Sequence, residues 1–387
     1  MSILTFILII LMLSFLILIH EFGHFLAARK SGVRVDEFGL GYPPKIWGKR
    51  FGETLYSINV LPLGGFVKIA GEEIEDESQE KEYIKDPESF VSKPPKIQAL
   101  ILVAGIVMNT LVAIILFYIF FFMNSFKSFY IPMIFDYKFK FGTEHTLNTV
   151  VFGMSDDSAA KEAGIKIGDV VVSIDGQKVN SVYDMRNVLA GKAGKPLRVD
   201  VIDIKDRSYS KIITYTVTPK PNVNPNNAGE GDSIIGVYTG SAVSISYDTP
   251  VDRILSGPMH AYNLMTYSLV TFAKIIGFSV ETKSIEPVSG TLVGPVGVFN
   301  IMGSVFKESG PKLGLSVIDT LAIISLGFAF SNILPIPALD GGRIAFKVYE
   351  MVTKRRVRPS LEAKVHQIGM WVLLGLMLLI TLKDLSL

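Results

Sequence analysis

Residues His20-Glu21-Phe22-Gly23-His24 interrupt an apolar run, Ile3–Ile19, that resumes at Phe25–Ala28. The length of the run fits a membrane-crossing helix, which needs roughly 18 or more apolar residues. On a helix, positions four apart share a face, so His20 and His24 can grip one ion. Glu21 stands about 100° around the axis, within reach of a water held beside that ion. The spacing is the H-E-x-x-H pattern of zinc hydrolases. Its setting sharpens the reading. Each ionisable group in hydrocarbon costs on the order of 2.5–3.5 kcal/mol on insertion scales, so this cluster needs a compensating partner. A divalent cation answers that need; a buried proton relay or a polar helix-packing site is the plainer alternative.

Working outward, Ala99–Met123, Leu313–Leu339 and His366–Leu382 are further long apolar runs, so we expect four transmembrane helices. A cleaved signal peptide is the alternative for the first run. No basic residue precedes it, however, and Arg29 and Lys30 follow it. Lys and Arg cluster after the first run (Arg29 to Arg50) and after the third (Arg343 to Lys364), which places both loops in the cytoplasm. The segment between the second and third spans then lies outside. Across 387 residues the hydrophobic fraction is 49%, and the mean hydropathy of +0.40 exceeds that of ordinary soluble domains. The net charge of +2 gives no footing for nucleic-acid binding. The chain has no cysteine, which excludes disulfides, thiolate metal sites and cysteine nucleophiles.

Catalytic zinc usually takes three protein ligands, so the two histidines need a third. His145, His260 and His366 are read as surface or interfacial residues. Asp340 is the better choice: the first and third spans run the same way, and it lies at the inner end of the third, level with His20 and His24. The alternative for Asp340-Gly341-Gly342 is an ordinary turn after a helix. Pro335 and Pro337 free backbone carbonyls, which is tolerated at membrane depth only beside protein or a wet cavity. Asn332 can face the same space or bridge helices. Gly105 and Asn109, four apart on the second span, read first as a packing pair.

Outside the spans, Thr54–Val60 and Phe66–Ile69 have strand character, and Glu72–Glu88 reads as an acidic loop or short helix. Between spans two and three lies a β-rich domain. Its expected strands are Thr149–Phe152, Val170–Ile174, Leu197–Ile204 and Lys211–Thr218, and its expected helices Ser158–Ala163 and Val182–Leu189. Asp175-Gly176 forms a hairpin turn, and Pro219–Asp232 a linker. The expected organisation is thus: first span 1–28, cytosol-facing loop with membrane-associated strands 29–98, second span 99–123, outer domain 145–240, amphipathic peripheral segment 249–312, third span 313–342, basic loop 343–365 and fourth span 366–384.

These motifs together resemble the site-2 protease family of intramembrane metalloproteases, in its bacterial branch. The match is carried by His20-Glu21-Phe22-Gly23-His24, by Asn332-Ile333-Leu334-Pro335-Ile336-Pro337-Ala338-Leu339-Asp340-Gly341, and by a PDZ-like pattern in Ser158–Gly176. Pro62-Leu63-Gly64-Gly65-Phe66-Val67-Lys68 and Gly105-x-x-x-Asn109 are also similar to family motifs. The resemblance covers nearly the whole chain. It implies a polytopic α-helical membrane protein with a membrane-associated β-hairpin and an inserted PDZ domain. It implies one zinc ion on His20, His24 and Asp340, Glu21 as general base and acid, and Asn332 and Asn109 near the substrate carbonyl. It implies single-pass membrane proteins as substrates, such as anti-sigma factors and remnant signal peptides, cleaved in the inner membrane near its cytoplasmic face. The chain departs from the family in showing one PDZ domain where some members carry two, and in Ile106 where a proline is common. The rival classes are a non-catalytic, membrane-anchored PDZ scaffold and an ion or proton carrier.

Overall fold

A computed structural model describes residues 3–74, 77–155, 157–203, 212–222, 233–283, 294–308 and 310–386. In chain order these form α1 (Ile3–Lys30), β1 (Val35–Phe51), β2 (Thr54–Ile69), α2 (Glu77–Lys85) and α3 (Pro95–Met123). There follow β3 (Ile131–Met133), β4 (Thr143–Met154), α4 (Ala159–Glu162), β5 (Asp169–Ile174), β6 (Gln177–Lys178), α5 (Val182–Leu189), β7 (Leu197–Asp203) and β8 (Ile212–Val217). The chain continues through β9 (Lys220–Pro221), β10 (Ser233–Ile234), β11 (Val237–Ser246), α6 (Pro250–Ile254), α7 (Ser256–Thr282) and α8 (Pro295–Glu308). It ends in α9 (Leu313–Ile333), α10 (Asp340–Thr353) and α11 (Pro359–Ser386). Two compact units result: residues 1–119, 260–306 and 317–387, and residues 120–259 with 307–316.

Five helices among the described residues are long and apolar enough to cross a membrane: Ile3–Lys30, Pro95–Met123, Ser256–Glu281, Leu313–Ile333 and Pro359–Leu382. Four of them correspond to the expected spans. The fifth, α7, falls where the sequence reads as a peripheral amphipathic segment, because Ser, Thr, Asn, His and Lys dilute its apolar residues. The expected third span, 313–342, is not one helix. α9 stops at Ile333 and α10 begins at Asp340. Pro335 and Pro337 lie between them, where proline removes the amide donors that helix propagation needs. Trp371, Val372, Leu378 and Leu379 on α11 are among many large apolar side chains left exposed, as lipid-facing positions must be.

β1 and β2 form a hairpin ribbon that is closed by the two-residue turn Gly52-Glu53, between Phe51 and its partner Thr54, and folds back on itself: Trp47–Phe51 pairs with Thr54–Ile58, while Glu37–Leu40 pairs with Gly65–Lys68 on one side and Leu55–Ile58 on the other. The sequence reading found only β2, in two pieces. β1 escaped it because its glycines, prolines and charges hide the alternation. The hairpin is seated on α1: Ser14 Oγ donates to the Pro62 carbonyl at 2.6 Å and accepts from Gly64 N–H at 2.9 Å. Below it, Phe25, Ala28, Val33, Val35, Ile69, Phe90, Ile101 and Leu102 share one buried cluster. The acidic stretch after β2 contains the short helix α2.

The second unit holds a sheet in the order β3-β11-β4-β5-β7-β8, with β6 paired to β5. Its core gathers Val151, Ile174, Val199, Val201 and Val217 beneath α4 and α5. Ser158 and Ser181 cap those helices. The sheet reaches beyond the expected 145–240 at both ends, since β3 and β11 pair over Ile131–Met133 and Ser241–Val243. Of the expected linker, residues 223–232 lie outside the described residues, as do Ile204 and Lys211 of the expected strands and residues 284–293 and 309 of the peripheral segment.

Candidate metal centre

His20 and His24 occupy successive turns of α1, buried, with their rings edge to face and centroids 4.7 Å apart. They face Asp340, the first residue of α10. His20 Nε2 lies 2.9 Å from Asp340 Oδ2, His24 Nε2 lies 3.3 Å from the same oxygen, and the two Nε2 atoms are 3.1 Å apart. The His20, His24 and Asp340 side chains thus form a group able to hold a metal ion. The fit is specific. A tetrahedral zinc with ligands at about 2.0–2.1 Å has edges of roughly 3.3 Å, close to these three separations, and leaves a fourth corner open. The donor set, two imidazoles and one carboxylate, suits zinc.

The helices are shaped for this meeting. Gly23 lets α1 approach α3: a Cβ there would stand 2.7 Å from the Ala104 carbonyl carbon. Gly105 on α3 leaves room for the rings, because a Cβ there would lie 2.5 Å from His24 Nε2 and 2.8 Å from His20 Nε2. The site therefore needs Gly105 for space beside the imidazoles, as well as for packing. His24 Nδ1 hydrogen-bonds the Ile101 carbonyl at 2.8 Å, which points its Nε2 at the site. Asn109 is fully buried beside His20, with Nδ2 3.4 Å from His20 Nδ1. Glu21 lies near enough to His20, His24, Asp340 and Glu72 for their charges to bear on its carboxyl.

Asp340 is fixed from several sides. Its position at the N-terminus of α10 favours a negative charge. Arg343, one turn on, pairs with Glu72 in the turn after β2. Lys347 Nζ reaches Glu362 Oε2 on α11 at 2.8 Å. His366 on α11 accepts at Nδ1 from Ala338 N–H at 2.9 Å, within the proline break. A cavity of about 680 Å³ beside this break is lined by Glu72, Phe90, Ala338, Arg343, Lys347 and His366, among others.

Four of the six residues singled out from sequence converge directly: His20, Glu21, His24 and Asp340. Asn109 joins them through His20. Asn332, in the last turn of α9, is half-buried and hydrogen-bonds none of the others among the described residues. The remaining histidines are corrected in part. His145 hydrogen-bonds Ser246 Oγ at 2.9 Å in the second unit. His260 and His366, expected at a surface or interface, are both buried, His260 edge-on to Phe117. Composition alone could not distinguish an interfacial from a packed helix face at these positions. The Ile101 carbonyl and the Glu72–Arg343 pair had no signal in the sequence beyond the spacing of Ile101, Gly105 and Asn109.

Comparison with known protein families matches this chain to Peptidase family M50 over residues 8–376. Curated relatives span nearly the whole chain. One from Clostridium perfringens, named for a zinc metalloprotease, is 31% identical over 380 residues, 97% of this chain and 96% of its own length. One from Fusobacterium nucleatum, likewise named, is 27% identical over 381 residues, 98% of each chain. The zinc metalloprotease RasP of Geobacillus kaustophilus is 26% identical over 442 residues, 96% of this chain and 95% of its own.

Proposed function

The chain belongs to Peptidase family M50, the site-2 proteases, and is a zinc metalloprotease of a membrane-embedded kind; from that premise we propose that it hydrolyses peptide bonds within or beside transmembrane segments of single-pass membrane proteins, using His20, His24 and Asp340 as zinc ligands and Glu21 as the catalytic base. The observation that carries this reading is the approach of Asp340 Oδ2 to both Nε2 atoms, at 2.9 and 3.3 Å, with His20 and Asp340 320 residues apart in sequence.

Zinc held by these three groups would supply Lewis acidity to polarise the scissile carbonyl and to acidify water. Glu21 takes the proton of the attacking water and passes it to the leaving amine. Ile101 and Asp340 keep His24 and His20 facing the site. A helical substrate hides its carbonyls in backbone hydrogen bonds, so it must be unwound before attack. The β1–β2 hairpin supplies free strand edges for that purpose, a mode known as strand addition. Ser14, its anchor on α1, precedes His20 by six residues, about 9 Å along the axis. Exposed Tyr42, Ile46, Trp47, Ile58, Val60 and Leu61 on the hairpin suit a lipid-facing or substrate-facing ribbon. Asn332 is assigned to the substrate side of the site, at the end of α9.

The basic residues after α1 and after Asp340 put the site near the cytoplasmic face of the inner membrane. Residues 145–240 act as a PDZ-type module outside, selecting substrates already trimmed there, such as anti-sigma factors or remnant signal peptides. A two-part experiment tests the assignment. Zinc is quantified in purified wild type, His24→Ala, Asp340→Ala and Glu21→Gln, and each is assayed on a model transmembrane peptide. We expect zinc and cleavage in wild type, zinc without cleavage in Glu21→Gln, and neither in the ligand variants. Undiminished cleavage by Glu21→Gln would remove Glu21 as the base, and a wild type that cleaves nothing would leave a scaffold or carrier as the better reading.

A further inference from the structure

His20 Nε2 faces Asp340 and His24, while its Nδ1 faces the Asn109 carboxamide nitrogen at 3.4 Å. The Asn109 oxygen is buried with no hydrogen-bond partner. This orientation suits the tautomer with hydrogen on Nε2: the ring donates to Asp340, and Asn109 donates to Nδ1. That tautomer has no lone pair on Nε2 to give a metal. Zinc needs the lone pair on Nε2, and the neutral ring then carries its hydrogen on Nδ1. In that state the Asn109 amide would oppose it donor to donor. Turning the carboxamide end for end exchanges nitrogen and oxygen with almost no change of shape. It brings the idle oxygen against Nδ1–H.

We infer that Asn109 is a positioning residue for His20, accepting a hydrogen bond from Nδ1–H through its side-chain oxygen and so holding the tautomer and ring plane that present Nε2 to the metal. The inference rests on the zinc site proposed above. It assigns Asn109 to the imidazole rather than to the substrate carbonyl, the role that family resemblance suggests. The geometry of α3 supports it. Ile101, Gly105 and Asn109 succeed one another at intervals of four and share one face of the helix. The first offers a carbonyl to His24, the second clears space for both rings, and the third offers a carboxamide to His20. One helix therefore supplies the outer partner of each imidazole. Asn109 is itself fixed, since Ser325 Oγ of α9 donates to its backbone carbonyl at 2.8 Å.

The test measures Zn²⁺ affinity by chelator competition on the full-length protein in detergent, for wild type, Asn109→Leu and Asn109→Asp. Losing an outer partner of a metal-ligating histidine costs on the order of 10–100-fold in affinity. We expect that loss in Asn109→Leu and recovery to within about threefold in Asn109→Asp, which keeps an accepting oxygen. A substrate-contact role predicts unchanged zinc affinity with reduced kcat alone. Asn109→Leu binding zinc as tightly as wild type overturns the inference, as does Asn109→Asp binding as weakly as Asn109→Leu. Should the leucine variant fail to fold, nitrogen-15 histidine NMR of zinc-loaded wild type decides. A slowly exchanging Nδ1–H on His20 supports the bond, and a freely exchanging one overturns it. Absence of zinc from wild type would instead defeat the metal-site reading itself.

Discussion

Arg343 and Glu72 form an ion pair that joins α10, one turn beyond Asp340, to the turn after β2. It ties the element that carries Asp340, the proposed distant ligand, to the hairpin proposed to hold substrate. Both side chains are largely shielded, at 24% and 18% exposure. Breaking one partner of a shielded pair strands the other charge.

Arg343→Ala should therefore lower stability by about 1–3 kcal/mol, below the figure for a fully buried pair because some solvent reaches it. It should also weaken zinc binding. The exchange Glu72→Arg with Arg343→Glu should restore part of both. Thermal unfolding and zinc titration of the single and double variants check this. A double variant no better than the sum of the singles would show that the pair does not couple the two elements.

Gly105→Ala should cut zinc affinity by roughly tenfold or more, because the added methyl contests the space of the His20 and His24 rings. Gly327→Ala on α9 is the control, since a Cβ there meets nothing within 4 Å. Equal zinc content in the two variants would mean that α1 and α3 separate without disturbing the ligands.

How much of this was legible beforehand depended on whether a feature is local. The His20–His24 pair and the Pro335–Pro337 break announce themselves through helical spacing and missing amide donors. Asp340 could be matched to them by counting spans and reading flanking charge. Arg343 and Glu72 could not be paired this way. They lie 271 residues apart, and nothing in either neighbourhood encodes the other. β1 was lost because its glycines, prolines and charges hide the alternation that marks a half-buried strand. The burial of His260 and His366 follows from which face of each helix packs, and that is a tertiary property.

Ala338, two residues before Asp340, has φ +79°, a left-handed conformation costly for a residue with a Cβ. Its N–H is held by His366. Ala338→Gly should relieve the strain and raise stability by about 0.5–1 kcal/mol, net of the entropy that glycine loses on folding. Thermal unfolding of zinc-loaded protein measures it. A lower midpoint would indicate that the surroundings fully compensate this conformation.

The metal centre also constrains the path of the chain. His20 and His24 lie near the C-terminal end of α1, and Asp340 just follows the C-terminal end of α9. Their meeting requires α1 and α9 to run in the same direction. α3 returns the chain once, so the crossings between α3 and α9 must be even in number. α7 would be a single crossing, and α8, with 14 residues, spans only about 21 Å, less than the hydrocarbon core. α7 nevertheless lies along both helices, with His260 against Phe117 of α3 and Phe272 against Phe330 of α9, so the chain between α7 and α9 must cross back. The chain has no native cysteine, so single cysteines at Asp252 and Lys283 can be labelled in intact cells without background. The Asp252 cysteine should react with an impermeant maleimide from outside and the Lys283 cysteine only from the cytoplasm. A Lys283 cysteine reached from outside would refute this path.

Trp47 tests the hairpin. It is 51% exposed and stands among exposed Tyr42, Ile46, Ile58 and Val60, an apolar surface that water disfavours. Lys45, Lys49 and Arg50 beside it can extend to headgroups while their stems stay in the interface. The chain has two tryptophans, so Trp371→Phe leaves Trp47 as the sole reporter. In bilayers its fluorescence should be quenched by brominated acyl chains and protected from aqueous acrylamide. Adding a substrate peptide should deepen that protection if the strand edge is where substrate lies, because an added strand covers the ribbon. Acrylamide quenching equal to that of free tryptophan would place the hairpin in water. It would also remove the bilayer as the reason that a transmembrane substrate meets these strands before it meets Glu21.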